Sequence, residues 1–286
     1  MKQNTWMLYP TQEQTHLKPW ILPSVQAGDG EFTGSLETLA AGFEPISLQE
    51  MESVALLDRI DTKFVMPVQQ LLKALVALQT EYRALEVDGG RLNHYRTLYF
   101  DTPDFALYNL HANERADRFK VRSREYLDSG QSFLEVKHRT RKDRVIKSRM
   151  PTERPAVWFD TDAQRWLKEV FPYDSGTLES KLWNTFTRVT LVNKSTCERV
   201  TIDVDLAFYT ARRIAHLDGI AVAEVKQDRR SCPSSFLAQM RALRVHPQGF
   251  SKYCIGTALL NDQVKKNSLK ARLLWLERNS IGVQHD

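Results

Sequence analysis

The sequence predicts an α+β fold in which an antiparallel β-sheet closes into a barrel, with helices packed outside it. Three observations predict it. Apolar and polar residues alternate with period two in several segments spread along the chain. Turn-forming clusters, rather than helical crossovers, separate neighbouring segments of that kind. Helical patterns fall between groups of strands and at the C-terminus instead of after every strand, unlike a chain of βαβ units.

Taken in order, residues 1–45 are rich in Gln, Thr, Gly and Pro with little periodicity, and read as an N-terminal extension or edge segment rather than core. Residues 46–286 then form one domain that includes the C-terminal helices, since nothing in the chain resembles a linker. Residues 58–66 read as extended, and Pro67 opens a helix to residue 78, in keeping with proline's fit to a first helical turn. After the turn Asp88-Gly89-Gly90, the aromatic stretch 94–101 reads as a strand. Residues 119–127 and 132–139 flank Asp128-Ser129-Gly130, a hairpin loop. Thr161 followed by Gln164 matches a capping box for a helix over 161–170. Strands resume at 186–193, 199–209 and 221–227, and helices are expected at 234–243, 254–262 and 265–278. Trp158, Trp166, Trp183 and Trp275 read as core or helix-packing residues.

Composition bounds the function. The 286 residues are 42% hydrophobic and 26% charged, with a net charge of +5, which suits a soluble globular protein that meets anionic partners. Cys197, Cys232 and Cys254 are odd in number and form no C-x-x-C pair, so reduced structural thiols are expected rather than a disulfide framework or a zinc site. No segment approaches the roughly 18 uninterrupted apolar residues of a membrane span, and no signal-peptide core opens the chain. A cytoplasmic protein follows by default. There is no G-x-x-x-x-G-K-[ST] loop, no G-x-G-x-x-G and no H-E-x-x-H. His94 and His138 fall within strands and read as structural.

The informative feature is the face that each charge occupies. In a strand, residues i and i+2 point the same way. Arg118, Lys120, Arg122 and Arg124 therefore share one face, with Phe119 and Val121 behind. Glu135, Lys137 and Arg139 share another, against Leu134 and Val136. Arg199, Thr201, Asp203 and Asp205 oppose Val200, Ile202 and Val204; Glu224 and Lys226 oppose Ala223 and Val225; Arg59, Asp61 and Lys63 repeat the spacing. A polar face that simply meets water would also alternate. Four successive cations on one strand repel each other, however, and runs of arginine suit bidentate recognition of phosphate oxygens. The carboxylates are few and sit beside cations, as a metal–phosphate complex requires. If that face turns inward, the cations line a channel. Arg139, Arg141, Lys142 and Arg144 form a basic hairpin end, either solvated or guiding polyanion to the channel mouth. The cationic faces hold few aromatics, so no dedicated nucleic-acid site is expected.

At these strands the sequence resembles the VTC-type polyphosphate polymerase domain, a branch of the triphosphate tunnel metalloenzymes. The segments that carry the resemblance are Arg59-Ile60-Asp61-Thr62-Lys63-Phe64, Tyr99-Phe100-Asp101-Thr102, Lys120-Val121-Arg122-Ser123-Arg124, Leu134-Glu135-Val136-Lys137 and Phe186-Thr187-Arg188. Arg199-Val200-Thr201-Ile202-Asp203, Ala223-Glu224-Val225-Lys226 and Phe250-Ser251-Lys252-Tyr253 complete it. Their order and spacing extend over about residues 45–262.

The resemblance implies a tunnel of basic residues inside an antiparallel barrel, and transfer of the γ-phosphoryl group of a nucleoside triphosphate, with ATP the expected donor, to a growing polyphosphate chain. It implies that Lys63, Arg122, Arg124, Lys137, Arg188, Arg199 and Lys252 are catalytic, and that Arg59, Lys120, Lys226 and Tyr253 contact substrate. Glu224 would be the main ligand of Mn2+ or Mg2+, with Asp203 and Glu135 as companions. Tunnel triphosphatases open with an E-x-E-x-K strand; here Arg59-x-Asp61-x-Lys63 replaces one acid by a base, which suits polymerase members. A tunnel triphosphatase and a non-catalytic polyanion-binding module stay open as alternatives, as does an unidentified membrane or regulatory partner.

Overall fold

The computed structural model describes residues 31–53, 59–142, 144–228 and 233–280. Its strands are β1 (Glu44–Ile46), β2 (Arg59–Pro67), β3 (Tyr82–Leu85), β4 (Asn93–Asp101), β5 (Arg118–Tyr126), β6 (Gln131–Arg139), β7 (Val145–Thr152), β8 (Glu179–Asn193), β9 (Glu198–Tyr209), β10 (Ile214–Leu217) and β11 (Ile220–Asp228). The helices are α1 (Glu31–Ala41), α2 (Leu48–Ser53), α3 (Val68–Leu78), α4 (Ala106–Ala112), α5 (Thr161–Val170), α6 (Ser235–Ala242), α7 (Lys252–Leu260) and α8 (Lys270–Asn279). None of the described helices is long and apolar enough to cross a membrane.

The main path of the sheet runs β2-β11-β9-β8-β4-β5-β6-β7, with every neighbouring pair antiparallel. The expected α+β antiparallel architecture is therefore present, but the hydrogen-bonded barrel is not. β2 and β7 end the path, and no ladder joins them among the described residues. β7 carries Pro151, which cannot donate to a ladder, and mostly exposed residues, both usual at a sheet edge.

Three apolar clusters explain the layering. On the outer face, Phe64, Met66, Val200, Ile202, Val204, Ala223 and Val225 pack under α1, α3 and α6. Further along, Leu98, Phe100, Phe119, Val121, Leu134 and Val136 pack under α5. These are the apolar faces read from the alternation. The third cluster lies on the inner face, where Val65, Tyr95, Tyr99, Leu182, Phe186 and Val222 meet Tyr253, Ile255 and Ala258 of α7. Not all helices are outside, then: α7 fills the concave side of the sheet. Gly256 permits this approach, because a Cβ there would stand 2.3 Å from Phe208 and 2.8 Å from Leu182.

Other expectations are corrected. The reading of residues 1–30 lies outside the described residues, but the same segment's end is core: Leu36, Ala40 and Phe43 are buried and β1 pairs with β3. The cap of α5 is Asp160, whose carboxylate accepts from Ala163 N, not Thr161. Trp158 is exposed while Trp183 is buried. Asp205 leaves the alternation at a bulge in β9, where it and Leu206 stand opposite Phe186 alone. Its φ of +52° marks the kink, and Leu206 and Phe208 join the inner cluster beyond it.

Candidate active site

Strand register alone assembles most of the site. On β2, β11 and β9, Lys63 stands opposite Glu224 and Glu224 opposite Thr201, while Asp61 stands opposite Lys226 and Lys226 opposite Arg199. Arg188 of β8 stands opposite Asp203 of β9. Across the sheet, Arg122 faces Glu135 and Lys120 faces Lys137. All of these positions have the inner parity.

The sheet curls enough for its two halves to interact across the concave side. Lys63 repels Lys120, and Glu224 attracts Lys137. The first turn of α7 crosses that concave side. Its cap Ser251 accepts from Lys120 Nζ at 3.0 Å, and Lys252 Nζ donates to Asp203. A helix terminus thus links β5 and β9, which are three strands apart along the sheet, across its concave side.

Each carboxylate is held by cations. Arg188 grips Asp203 with two parallel bonds, Nε to Oδ1 at 2.6 Å and Nη2 to Oδ2 at 2.9 Å, the bidentate fork that a carboxylate favours. Arg122 Nε reaches Glu135 Oε2 at 2.6 Å. Glu224 takes Lys63 on one oxygen and Lys226, at 2.6 Å, on the other. Burial opposes ionisation of Glu224, yet Lys226 and Lys63 hold its carboxyl well below the usual range. Burial likewise opposes Asp203, and Arg188 with Lys252 more than offsets it. For Glu135, burial is outweighed by Arg122 and Arg124, leaving its pKa at about 2.

The cations still outnumber these carboxylates, and the excess is concentrated in the lysines. Burial, then repulsion from Lys120 and Lys147, brings Lys137 down to about 7; no carboxylate pairs with it among the described residues. Burial brings Lys252 to about 8 despite the attraction of Asp203. Burial also lowers Lys120 and Arg124. Arg124 is stacked 5.6 Å over Tyr95, and Arg188 lies 4.9 Å over the same ring.

The structure therefore brings together Lys63, Lys120, Arg122, Arg124, Lys137, Arg188, Lys226 and Lys252 with Glu135, Asp203 and Glu224, and puts Arg199 beside them by register. For Arg59 only the backbone, opposite Asp228, is described. Tyr253 does not belong to the lining. It is buried, stacked on Tyr99 at 5.0 Å, and donates its hydroxyl to Asp101. Sequence reasoning missed Ser251, Lys147 and Arg149; the last two stand opposite Lys137 and Glu135 on β7, where i, i+2 spacing was the available signal. The hairpin end with Arg141 and Arg144 is exposed, and Asp117 takes His138 at 2.6 Å and Arg141 at 3.4 Å.

Among the described residues, no three His, Cys, Asp or Glu side chains converge as a metal cage. Both oxygens of Asp203, like those of Glu224, are held by cations, but the Asp203 side chain is only 5% exposed and so fits a ligand role poorly. Glu135 sits on β6, engaged by Arg122. Glu224 fits better: it is more open, at 22% side-chain exposure, and one carboxylate suffices for a hard divalent ion that takes its other ligands from phosphate oxygens and water.

Among solved structures, the chain is similar to a candidate adenylate cyclase from Vibrio parahaemolyticus, at 14% identity over 68% of this chain and 94% of that one, with a TM-score of 0.39. A candidate adenylate cyclase from Bacillus halodurans matches at 12% identity over 68% and 94%, with a TM-score of 0.43. A candidate adenylyl cyclase from Hippeastrum, described as having a dominant triphosphatase activity, matches at 13% identity over 70% and 94%, with a TM-score of 0.45. No curated protein matches the chain. The family model of the VTC domain matches residues 58–261, from the foot of β2 to the end of α7, and so takes in every inner-face strand and the helix that spans them. By that match, over more than half of its length, the chain belongs to the VTC domain family.

Proposed function

We propose that the chain is a polyphosphate polymerase that transfers the γ-phosphoryl group of ATP to the end of a polyphosphate chain. The observation that carries this reading is the inner face itself, a concave surface with an excess of cations drawn from β2, β5, β6, β8, β11 and α7. From Arg118 to Arg124 the basic face of β5 alone runs for roughly 20 Å at the usual strand rise, a length suited to a chain of phosphates rather than to one triphosphate.

Phosphoryl transfer spreads negative charge over the equatorial oxygens and asks the protein mainly for position and electrostatic stabilisation. Arg122, Arg124 and Arg188 are held in place by carboxylate or aromatic partners and would bind and orient the triphosphate. Lys63 and Lys226 would move from Glu224 to phosphate oxygens, and Lys120 and Lys137 would receive the acceptor chain. The attacking oxygen is a terminal phosphate oxygen, already largely ionised, so no general base is needed. Mg2+ or Mn2+ would be held by Glu224 together with phosphate oxygens, and when bound neutralises charge on the transferred group.

A triphosphatase would use the same lining with water as the attacking group. The basic Arg59 in the opening strand and the length of the cationic face favour the polymerase. The site assignment is tested by Lys137→Ala and Glu224→Ala, each expected to lower turnover by about 100-fold, the scale of losing one preorganised electrostatic group. Full activity in both proteins would show that the site is elsewhere.

A further inference from the structure

Asp101 is a fully buried carboxylate that the proposed chemistry does not use. It ends β4, in the segment Tyr99-Phe100-Asp101-Thr102. Its Oδ1 accepts from the amides of Thr102 and Leu107, both at 2.8 Å, and its Oδ2 accepts from the amide of Tyr108 at 2.7 Å. These bonds fix the carboxylate against the start of α4. The Thr102 hydroxyl adds a longer bond to Oδ1 at 3.3 Å, and one further donor comes from far along the chain, the hydroxyl of Tyr253 in α7, 152 residues later.

The consequence lies in the neighbours of Tyr253. Lys252 precedes it and donates to Asp203; Ser251 caps the helix and accepts from Lys120 at 3.0 Å. Beyond this turn α7 is buried against apolar side chains, and such contacts fix its depth but are non-directional. A rotation of the helix about its axis moves Lys252 and Tyr253 together. The Tyr253–Asp101 bond is directional and buried, and it joins α7 to a strand end that α4 already holds rigid. The Tyr253 ring also stacks on Tyr99, and Tyr99 stands opposite Arg122 across β4 and β5.

We propose that Asp101 is a positioning residue: through the Tyr253 hydroxyl it sets the rotation of α7 and so places Lys252 against Asp203 and Ser251 against Lys120. The proposal rests on the inner face being the anion site, and it is tested in two arms with Tyr253→Phe, which keeps the ring and its packing. The first arm uses unliganded protein and an amine-acetylating reagent, read by mass spectrometry. Lys252 becomes several-fold more reactive in the variant, while Lys63 does not change and reports that the fold as a whole has not opened.

The second arm is a double-mutant cycle on tripolyphosphate affinity by calorimetry. Tyr253→Phe weakens binding roughly tenfold, the effect of about one lost buried hydrogen bond, but changes it less than about twofold in a Lys252→Ala background. A purely structural role would leave the two losses additive. Unchanged Lys252 reactivity, or full additivity in the cycle, would overturn the proposal. Raised Lys252 reactivity in a protein that binds no tripolyphosphate would sustain the positioning role and refute the proposed function instead.

Discussion

Lys63 on β2 and Glu224 on β11 are direct cross-strand partners, and Glu224 is held a second time by Lys226, two residues along its own strand. An acid shared between two lysines keeps both cations folded into the inner face until an anion of higher charge competes for them. Glu224→Gln removes that competition. Metal-free tripolyphosphate binding is expected to tighten several-fold, as Lys63 and Lys226 are released, while metal-supported turnover falls by about 100-fold. Calorimetry without metal and product formation with it separate the two effects. Loss of both would mean that Glu224 serves only to hold the lysines in place.

Arg188 and Asp203 form an enclosed pair, with side chains 18% and 5% exposed. Removing one partner of a buried pair leaves a charge without compensation. Arg188→Ala is expected to lower stability by about 3 kcal/mol, the low end for such a loss, because Lys252 stays on Asp203. Urea unfolding followed by fluorescence measures it, and a loss under about 1 kcal/mol would show that Asp203 is better solvated than its burial implies.

The lysines make binding depend on pH. Lys137, near 7, and Lys252, near 8, are partly neutral in the free protein at pH 8, and a bound polyanion favours their charged forms. Tripolyphosphate binding at pH 8 should therefore take up protons, visible as a calorimetric enthalpy that varies with buffer ionisation enthalpy, and affinity should fall as pH rises from 7 to 9. For folding the sign is reversed. The unfolded chain keeps the Lys137 proton to a pKa of about 10.4, so between pH 7 and 10 it binds more protons than the native state and this group's contribution to stability rises with pH. The depressed carboxyl of Glu135 acts at the acid end: its contribution is present above about pH 4 and is lost as pH falls towards 2.

Gly256 is where the backbone of α7 approaches the sheet most closely. A methyl group there must displace the rings and methyls of Phe208 and Leu182, both fixed in a packed cluster. Gly256→Ala should cost about 1–3 kcal/mol by overpacking, although alanine is the better helix former. A neutral or stabilising effect in urea would mean that α7 does not lie this deep.

Much of this site can be read in the chain because a strand has a fixed period of two. Arg118 to Arg124 and Glu135 to Arg139 declare their inner face once they are strands, and the apolar residues between them went to the outer clusters as the alternation requires. What failed has identifiable causes. β1, β3 and β10 are only three or four residues long, too short for a period to show. β7 is an edge with polar residues and a proline, so it looks like loop. The first half of β8 carries Lys181 and Asn184, which mask a strand whose Leu182, Trp183 and Asn184 are buried. Tyr253 adjoins Lys252 in sequence, but on a helix neighbours diverge by about 100°, which sends one to Asp203 and the other to Asp101. The open edge between β2 and β7 has no local signature, because closure depends on accumulated twist and curl rather than on any one segment.

The most direct test of the account is the product of ATP turnover with Mn2+ or Mg2+, resolved into orthophosphate and polyphosphate by gel and chromatography. ADP together with polyphosphate chains that lengthen with time is the expected result. Orthophosphate as the sole phosphate product, or no turnover with either metal, would contradict it.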